Sequence, residues 1–189
     1  MEYIKEPHNF AEIPDSYSNY ANSKAVILPF PYEKTTCYIK GTKKGPAAII
    51  KASAEMELYD EENGNVYECG ICTLKELKMS NAPEEMAEIG YKKAKNLLND
   101  GKFVVTLGGE HSITSGIVKA FKEKYYDLSV LQIDAHADLR EDFEGSRHSH
   151  ACAMKRTREI CPVVQVGIRS LSFEESELIK EKNLKIFWA

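Results

Sequence analysis

Two short stretches of the chain decide the fold: KFVVTLGGEHS at residues 102–112 and LSVLQIDAHAD at residues 128–138. Each begins with β-branched and aliphatic residues and ends abruptly in polar side chains that can bind metals or protons. Short apolar runs of this kind are typical of buried strands in parallel sheets. Both stretches therefore predict a strand that carries chemically active groups at its carboxyl end.

The rest of the chain repeats this alternation between short apolar runs and segments of helical period. The alternation predicts a three-layer α/β/α fold, with helices on both faces of a mainly parallel sheet. Strands are predicted at residues 25–30, 66–69, 102–107, 128–133, 162–166 and 184–188, and helices at residues 46–56, 83–99, 113–124, 151–160 and 173–182. Pro83 suits the first turn of its helix, and Gly101 lies just beyond the end. Since no repeat or linker interrupts the pattern, a single domain is expected over residues 1–189.

Composition narrows the class of protein. The chain has a net charge of -4, and its basic residues are scattered among acidic ones, which argues against nucleic acid as a partner. No apolar run approaches the roughly 20 residues that span a bilayer, and the N-terminus lacks the apolar core of a secretory signal. We therefore expect a cytoplasmic protein that does not bind membranes, with its five cysteines reduced.

Two further segments have alternative interpretations. Residues 31–45 show no clear periodicity and follow the first strand, so they form either a loop that contributes to a site or a solvated connection. Cys69-Gly-Ile-Cys72 has the spacing of a redox pair or of half a zinc site. Without a helix start after Cys69 or a second such motif, two ordinary thiols are the favoured interpretation.

The polar groups after the two central strands predict a metal centre. Asp134, His136 and Asp138 occupy positions i, i+2 and i+4, which project to one face of an extended segment. Converging carboxylates repel each other, and a divalent cation offsets that repulsion. Mixed imidazole and carboxylate ligands suit Zn, Mn or Fe better than Ca or Mg, and Asp134 could bridge two ions. The alternative is a solvated polar loop. His111 follows a glycine turn and is a weaker candidate by itself.

The combination of Gly-Gly-Glu-His and Asp-Ala-His-Ala-Asp resembles the arginase and agmatinase family of ureohydrolases. Further similarity lies in Glu144-Gly-Ser-Arg-His-Ser-His150-Ala, in Gly167-Ile-Arg169 and in the segment GTKKGPAAI at residues 41–49. The resemblance therefore extends over most of the chain. It implies an arginase-like or deacetylase-like fold, homo-oligomers and a role in polyamine biosynthesis.

The resemblance also implies a mechanism and a set of residues. One Mn²⁺ would be held by His111, Asp134 and Asp138, and a second by His136 and Asp134. A hydroxide bridging the pair would attack the guanidinium carbon of a small guanidino substrate and release an amine and urea. His150 matches the family histidine assigned to proton transfer or substrate positioning, and His148 is its rival.

Agmatine is the favoured substrate, ahead of arginine, guanidinobutyrate and formiminoglutamate. Arginases carry an asparagine shortly after the metal motif to bind the α-amino acid end of the substrate. Here Leu139-Arg140 occupies that place, as in agmatinase-type members.

The sequence departs from the family in one respect. The family's second aspartate motif, a D-x-D segment after a later strand, is absent, so a single domain lacking the C-terminal segment is expected, with unpaired strand edges. One metal would keep three protein ligands and the other two. We therefore expect weak metal binding and little or no catalysis from the 189 residues alone. The alternative function is a noncatalytic metal-binding fragment.

Overall fold

The computed structural model describes all residues from Met1 to Ala189. Its strands are β1 (Tyr3–Ile4), β2 (Ala25–Phe30), β3 (Ile71–Leu74), β4 (Phe103–Gly108), β5 (Val130–Ile133), β6 (Val163–Ile168) and β7 (Ile186–Trp188). Its helices are α1 (Asp15–Ser18), α2 (Gly45–Ala52), α3 (Pro83–Asn99), α4 (Thr114–Lys124), α5 (Ala153–Arg158) and α6 (Phe173–Glu181). Single 3-10 turns occupy Phe10–Glu12, Thr42–Lys44, Ser53–Glu55, Val66–Cys69, His111–Ile113 and His150–Cys152. No helix combines the length and hydrophobicity needed to cross a membrane.

By its internal contacts the chain divides into two compact units. The first comprises Met1–Glu33, Cys37–Met79 and Asn96–Glu110, and the second comprises Lys34–Thr36, Ser80–Lys95 and His111–Ala189. Each unit contains its own sheet. The predicted α/β class with mainly parallel pairing is confirmed, whereas the single domain over residues 1–189 stays a prediction.

The first unit is built on a four-stranded sheet in the order β1-β3-β2-β4. β2 pairs in parallel with both β3 and β4, and only β1 runs antiparallel. Alternate side chains of the central strands enter one apolar cluster, which contains Val26, Leu28, Cys72, Leu74 and Leu97. β4 has a strand partner on one side only.

The second unit is built on a parallel sheet in the order β5-β6-β7. One face packs on a cluster formed by Ala137, Leu139, Ala153, Met154, Val163, Ile168 and Ile179. β5, like β4, is paired on one side only. Because β5 leads directly into residues 134–138, this sheet sets the direction in which the candidate ligands leave the strand.

The strand predicted at residues 66–69 is wrong, since Val66–Cys69 forms a 3-10 turn and the strand begins at Ile71. Val66 is 49% exposed, so the apolar side chain at this position does not indicate a buried strand. Gly70 turns the chain with a positive φ of 84°, and a Cβ there would lie 2.6 Å from the Cα of Ser23. The strand therefore starts five residues later than the apolar pattern suggests.

The expectation of a buried strand before the metal motif is also wrong for one face of β5. Leu131 and Ile133 of β5 are 62% and 80% exposed, whereas Gln132 between them is 6% exposed. Side chains alternate between the two faces of a strand, and only one face of β5 packs on the core. The buried face of this strand is therefore the one that carries a polar residue.

A buried carboxylate joins α6 to the end of the metal motif. Glu175 forms a capping box with Ser172: its Oε2 accepts from the Ser172 N–H at 2.6 Å, and its own N–H donates to Ser172 Oγ at 3.3 Å. Its Oε1 accepts from the N–H of Leu139 at 2.7 Å. Since Leu139 follows Asp138 directly, this carboxylate fixes the backbone beside a candidate ligand.

We expect Glu175→Ala to lower the free energy of unfolding by about 2–4 kcal/mol, because it removes a helix cap and leaves buried N–H groups unpaired. Chemical denaturation of the metal-free chain measures the change. Glu177→Ala is the matched control, because Glu177 lies on the same helix but forms only a surface pair with Lys180. Equal losses of stability from the two substitutions would contradict this role of the Glu175 carboxylate.

Candidate metal centre

His111 is delivered by a sharp turn after β4. A Cβ on Gly109 would lie 2.3 Å from the carbonyl oxygen of Tyr32, so only glycine fits this close approach. The next residue, Glu110, donates its N–H to the same carbonyl at 2.9 Å. His111 then begins a 3-10 turn. Gly109 thus has a backbone role, and the turn brings the chain to His111 directly after the strand.

The segment from Asp134 to Ala137 is held by the backbone of β6 and of the residues that follow it. The N–H of Asp134 donates to Val166 O at 3.1 Å, and Ala135 O accepts from the N–H of Ser170 at 3.0 Å. The N–H of Ala137 returns to Ser170 O at 3.2 Å. These bonds fix the path of the motif without using the side chains of its aspartates.

Asp138 leaves the extended conformation that the sequence pattern predicts for the whole motif. Its φ is 51°, in the left-handed region. Its carbonyl accepts the N–H groups of Met154 and Lys155, both at 3.0 Å, at the start of α5. The turn at Asp138 is thus stabilised by otherwise unpaired N–H groups of a helix N-terminus. It also changes the direction in which the Asp138 side chain projects.

Three of the predicted ligands converge. Nδ1 of His111 lies 2.6 Å from Oδ2 of Asp138 and 3.6 Å from Oδ2 of Asp134. The candidate ligand atoms of these three residues all lie within 4.8 Å of one another. The side chains are mostly buried, with 27% of His111, 27% of Asp134 and 11% of Asp138 exposed. An imidazole nitrogen and two carboxylates at this spacing form a donor set that fits one divalent transition-metal ion.

His136 lies at the edge of this group. Its Nδ1 is 3.5 Å from Oδ1 of Asp134, and its side chain is 65% exposed. The two oxygens of Asp134 therefore face different imidazoles, with Oδ2 toward His111 and Oδ1 toward His136. A carboxylate in this position has the arrangement that a ligand shared by two ions requires.

The two candidate catalytic histidines differ in how they are held. His150 begins a 3-10 turn that packs against the turn of His111. Its N–H donates to Thr35 Oγ1 at 2.9 Å, its Nδ1 lies 3.1 Å from that oxygen, and its ring meets Phe143 edge-on at 5.7 Å. Nδ1 of His148 is buried without a hydrogen-bond partner. The ring of His150 is thus fixed from two sides.

The charge balance at the centre depends on His111. Burial by itself would lower the pKa of its imidazole, but the hydrogen bond to Asp138 and the negative charges of Asp138 and Asp134 outweigh burial and raise the pKa above its usual range. In the metal-free chain the two aspartates therefore favour a proton on His111, and that proton would do part of what a cation does. A metal ion must displace that proton in order to bind.

The motifs in the sequence do not predict that two buried glutamines lie beside the centre. Gln132 in β5 is 6% exposed, and Gln165 in β6 is fully buried. Gln132 donates to a carboxylate oxygen of Asp134 at 3.2 Å. The available signal was a polar residue at the same position in two otherwise apolar strands, VLQI and VVQV.

The two cysteines of the CxxC motif form no disulfide and lie in different environments. Cys69 is exposed at the end of a 3-10 turn, whereas Cys72 is completely buried in β3. No helix begins after Cys69, since β3 follows. Both observations favour ordinary thiols over a redox pair.

Comparison with known proteins gives consistent matches. Residues 23–189 match the model of the arginase family. The chain is 41% identical to N(1)-aminopropylagmatine ureohydrolase of Synechocystis, covering 100% of this chain and 64% of the relative, and 33% identical to agmatinase of Bacillus anthracis, covering 91% and 61%. The crystal structure of agmatine ureohydrolase from Thermoplasma volcanium superposes with a TM-score of 0.87 at 28% identity, covering 98% of this chain and 62% of that one. The chain thus spans less than two thirds of the length of these relatives.

We expect the imidazole of His111 in the metal-free chain to titrate above the ordinary histidine value of about 6.5, because the two aspartates favour its charged form. The stabilisation from this pair is then complete below about pH 6.5 and is lost as the pH rises through the raised pKa. NMR titration of the ring measures it. Asp138→Asn should lower the pKa, while Asp142→Asn, an exposed position on the following loop, should not. A His111 pKa at or below 6.5 would contradict the charge balance.

Proposed function

The chain belongs to the arginase family, and from this premise we propose that it hydrolyses a guanidino compound, with agmatine favoured, to an amine and urea. The observation that carries the proposal is the convergence of His111, Asp134 and Asp138 within 4.8 Å. These residues come from the two motifs that resemble the family's metal ligands. An agmatinase relative with 33% identity over 91% of the chain supports the same reaction class.

We propose that the centre binds two Mn²⁺ ions. His111, Asp134 and Asp138 would hold one, and His136 with Asp134 would hold the other. The distances from the two Asp134 oxygens to different imidazoles, 3.6 Å and 3.5 Å, support this division. When bound, such a pair lowers the pKa of water enough to provide hydroxide at neutral pH and polarises the carbon under attack.

The chain's own groups would hold the ligands and move the proton. Asp134 and Asp138 would offset the positive charge of the ions, and hydrogen bonds of their backbone groups hold them in place in the metal-free chain. We propose that His150 transfers a proton to the leaving amine or positions the substrate, because its ring is fixed by Thr35 and Phe143 beside the turn of His111. His148 is the rival for this role.

The number of protein ligands limits the expected affinity. The 189 residues supply three ligands to one ion and two to the other, counting Asp134 twice. Structural metal sites commonly have four protein ligands, and catalytic zinc sites have three. We therefore propose that binding at the second position is the weaker of the two. A noncatalytic metal-binding role is the alternative function, and the short ligand set is the observation that favours it.

We expect the chain to bind Mn²⁺, and Asp134→Asn to weaken binding by more than the roughly 10- to 100-fold that changing an outer partner of a ligand typically costs. The reason is the loss of the charge that both positions share. Electron paramagnetic resonance of free Mn²⁺ measures binding. Asp142→Asn, with the same change of charge at an exposed position, should bind as the wild type does. Equal affinity for wild type and Asp134→Asn would rule out this centre.

The substrate has a second candidate. The relative with 41% identity is an N(1)-aminopropylagmatine ureohydrolase, so an agmatine carrying an aminopropyl group competes with agmatine itself. Arginine is disfavoured for a structural reason. Leu139 is 2% exposed, and the guanidinium of Arg140 lies 5.2 Å from the ring of Phe143. Neither residue offers an amide to the α-amino acid end of arginine.

We expect slow, Mn²⁺-dependent urea release, with kcat/KM higher for agmatine or N(1)-aminopropylagmatine than for arginine. The rate should fall far below the median enzymatic kcat of about 10 s⁻¹, because the ligand set is short. Long incubations at high protein concentration make such rates measurable, and Asp134→Asn is the blank. Bound Mn²⁺ without urea from any guanidino compound would favour the noncatalytic alternative, and arginine as the best substrate would contradict the substrate proposal.

A further inference from the structure

Two glutamine side chains pair inside the apolar core of the second unit. Gln132 of β5 and Gln165 of β6 are partners in the parallel register, and both point to the buried face of the sheet. Val163 and Met154 belong to the apolar cluster on that face. A buried amide is costly unless it is hydrogen-bonded, and two apolar side chains would fill the same space without that cost. The hydrogen-bond partners of the two amides therefore indicate why glutamines occupy these buried positions.

The hydrogen bonds set a single orientation for both amides. Nε2 of Gln165 donates to Ala137 O at 2.8 Å and to Oε1 of Gln132 at 2.5 Å. Since Oε1 of Gln132 is thus used as an acceptor, its Nε2 faces the metal motif. That nitrogen donates to His136 O and to Oδ2 of Asp134, both at 3.2 Å. Oε1 of Gln165 is left buried without a partner.

We infer that Gln132 is a positioning residue for the metal centre, and that Gln165 holds Gln132 in the orientation this requires. The inference rests on the proposed function, since it concerns the same centre. Asp134 accepts one N–H on each oxygen, from Gln132 on Oδ2 and from the backbone of His136 on Oδ1 at 2.9 Å. Two donors on opposite oxygens fix the rotation of the carboxylate. Each oxygen keeps a further lone pair for an ion.

The glutamine pair lowers stability in one respect, which an apolar pair at the same positions would avoid. The unpaired Oε1 of Gln165 is a buried acceptor without a donor, which is unfavourable. When both members of a buried hydrogen-bonded pair are replaced by apolar groups of similar shape, stability changes little or rises. A structural role predicts that such a replacement leaves metal binding unchanged. A positioning role predicts that metal binding weakens while the fold persists.

The test compares Mn²⁺ affinity with the stability of the metal-free chain. Gln132→Met removes the donor to Asp134 and should weaken Mn²⁺ binding by about 10- to 100-fold, as the loss of outer partners of metal ligands does. Gln165→Met keeps the Gln132 donor but removes the hydrogen bond that orients it, so we expect a smaller loss of Mn²⁺ affinity. The double substitution Gln132→Met with Gln165→Met removes both side-chain amides but also the donors to the carbonyls of His136 and Ala137. It should therefore remain folded, with some loss of stability, while binding Mn²⁺ as weakly as Gln132→Met.

Thr157→Val is the control for loss of a buried hydrogen bond elsewhere in the same unit. Thr157 is fully buried, and its hydroxyl donates to Ala153 O at 2.8 Å. This substitution should lower stability without changing Mn²⁺ affinity. If the double variant folds and binds Mn²⁺ within twofold of the wild type, the inference is overturned and the proposed function stands. If the wild type binds no Mn²⁺, the proposed function fails and the inference fails with it.

Discussion

Two carboxylates lie around one imidazole nitrogen in this protein, and the second unit is organised to hold them there. Asp134 and Asp138 approach Nδ1 of His111 to 3.6 Å and 2.6 Å in a mostly buried position. Like charges at such spacing repel, and burial strengthens the repulsion. A proton on His111, which the raised pKa favours, would reduce the repulsion, and a divalent cation would reduce it further. The surrounding backbone must hold the two aspartates in place against the repulsion that remains.

Three sets of hydrogen bonds to main-chain groups hold the motif in place. The segment after β6 pairs with the motif backbone, the first N–H groups of α5 bind the carbonyl of Asp138, and Glu175 at the start of α6 binds the N–H of Leu139. All three use main-chain groups of the motif, so the side chains of the aspartates stay available. Two of the three sites lie at a helix N-terminus, where unpaired N–H groups or a capping side chain are at hand. The helices therefore orient the centre as well as cover the sheet.

Family membership and substrate choice depend on different parts of the molecule. The arginase family is evident from a match over residues 23–189 and from a fold that superposes at a TM-score of 0.87. The relatives nevertheless include an N(1)-aminopropylagmatine ureohydrolase and an agmatinase, at 41% and 33% identity. Under the proposed function, a shared metal motif would account for a common attack on a guanidinium group. Discrimination between the substrates depends on the groups around their tails, which the metal motif does not specify.

The sequence by itself determined the α/β class, the exact extents of Ala25–Phe30 and Pro83–Asn99, and the two motifs that reveal the family. These follow from local signals: an apolar run, a helical period with proline at its start, and a characteristic pair of motifs. The tertiary structure alone decided that Val66–Cys69 is a turn, that Asp138 leaves the extended conformation, and that Gln132 contacts Asp134. The first depends on close packing at Gly70, and the others depend on a helix N-terminus and on the neighbouring strand β6. Such contacts join residues far apart in the chain, and no local pattern of polarity records which groups will meet.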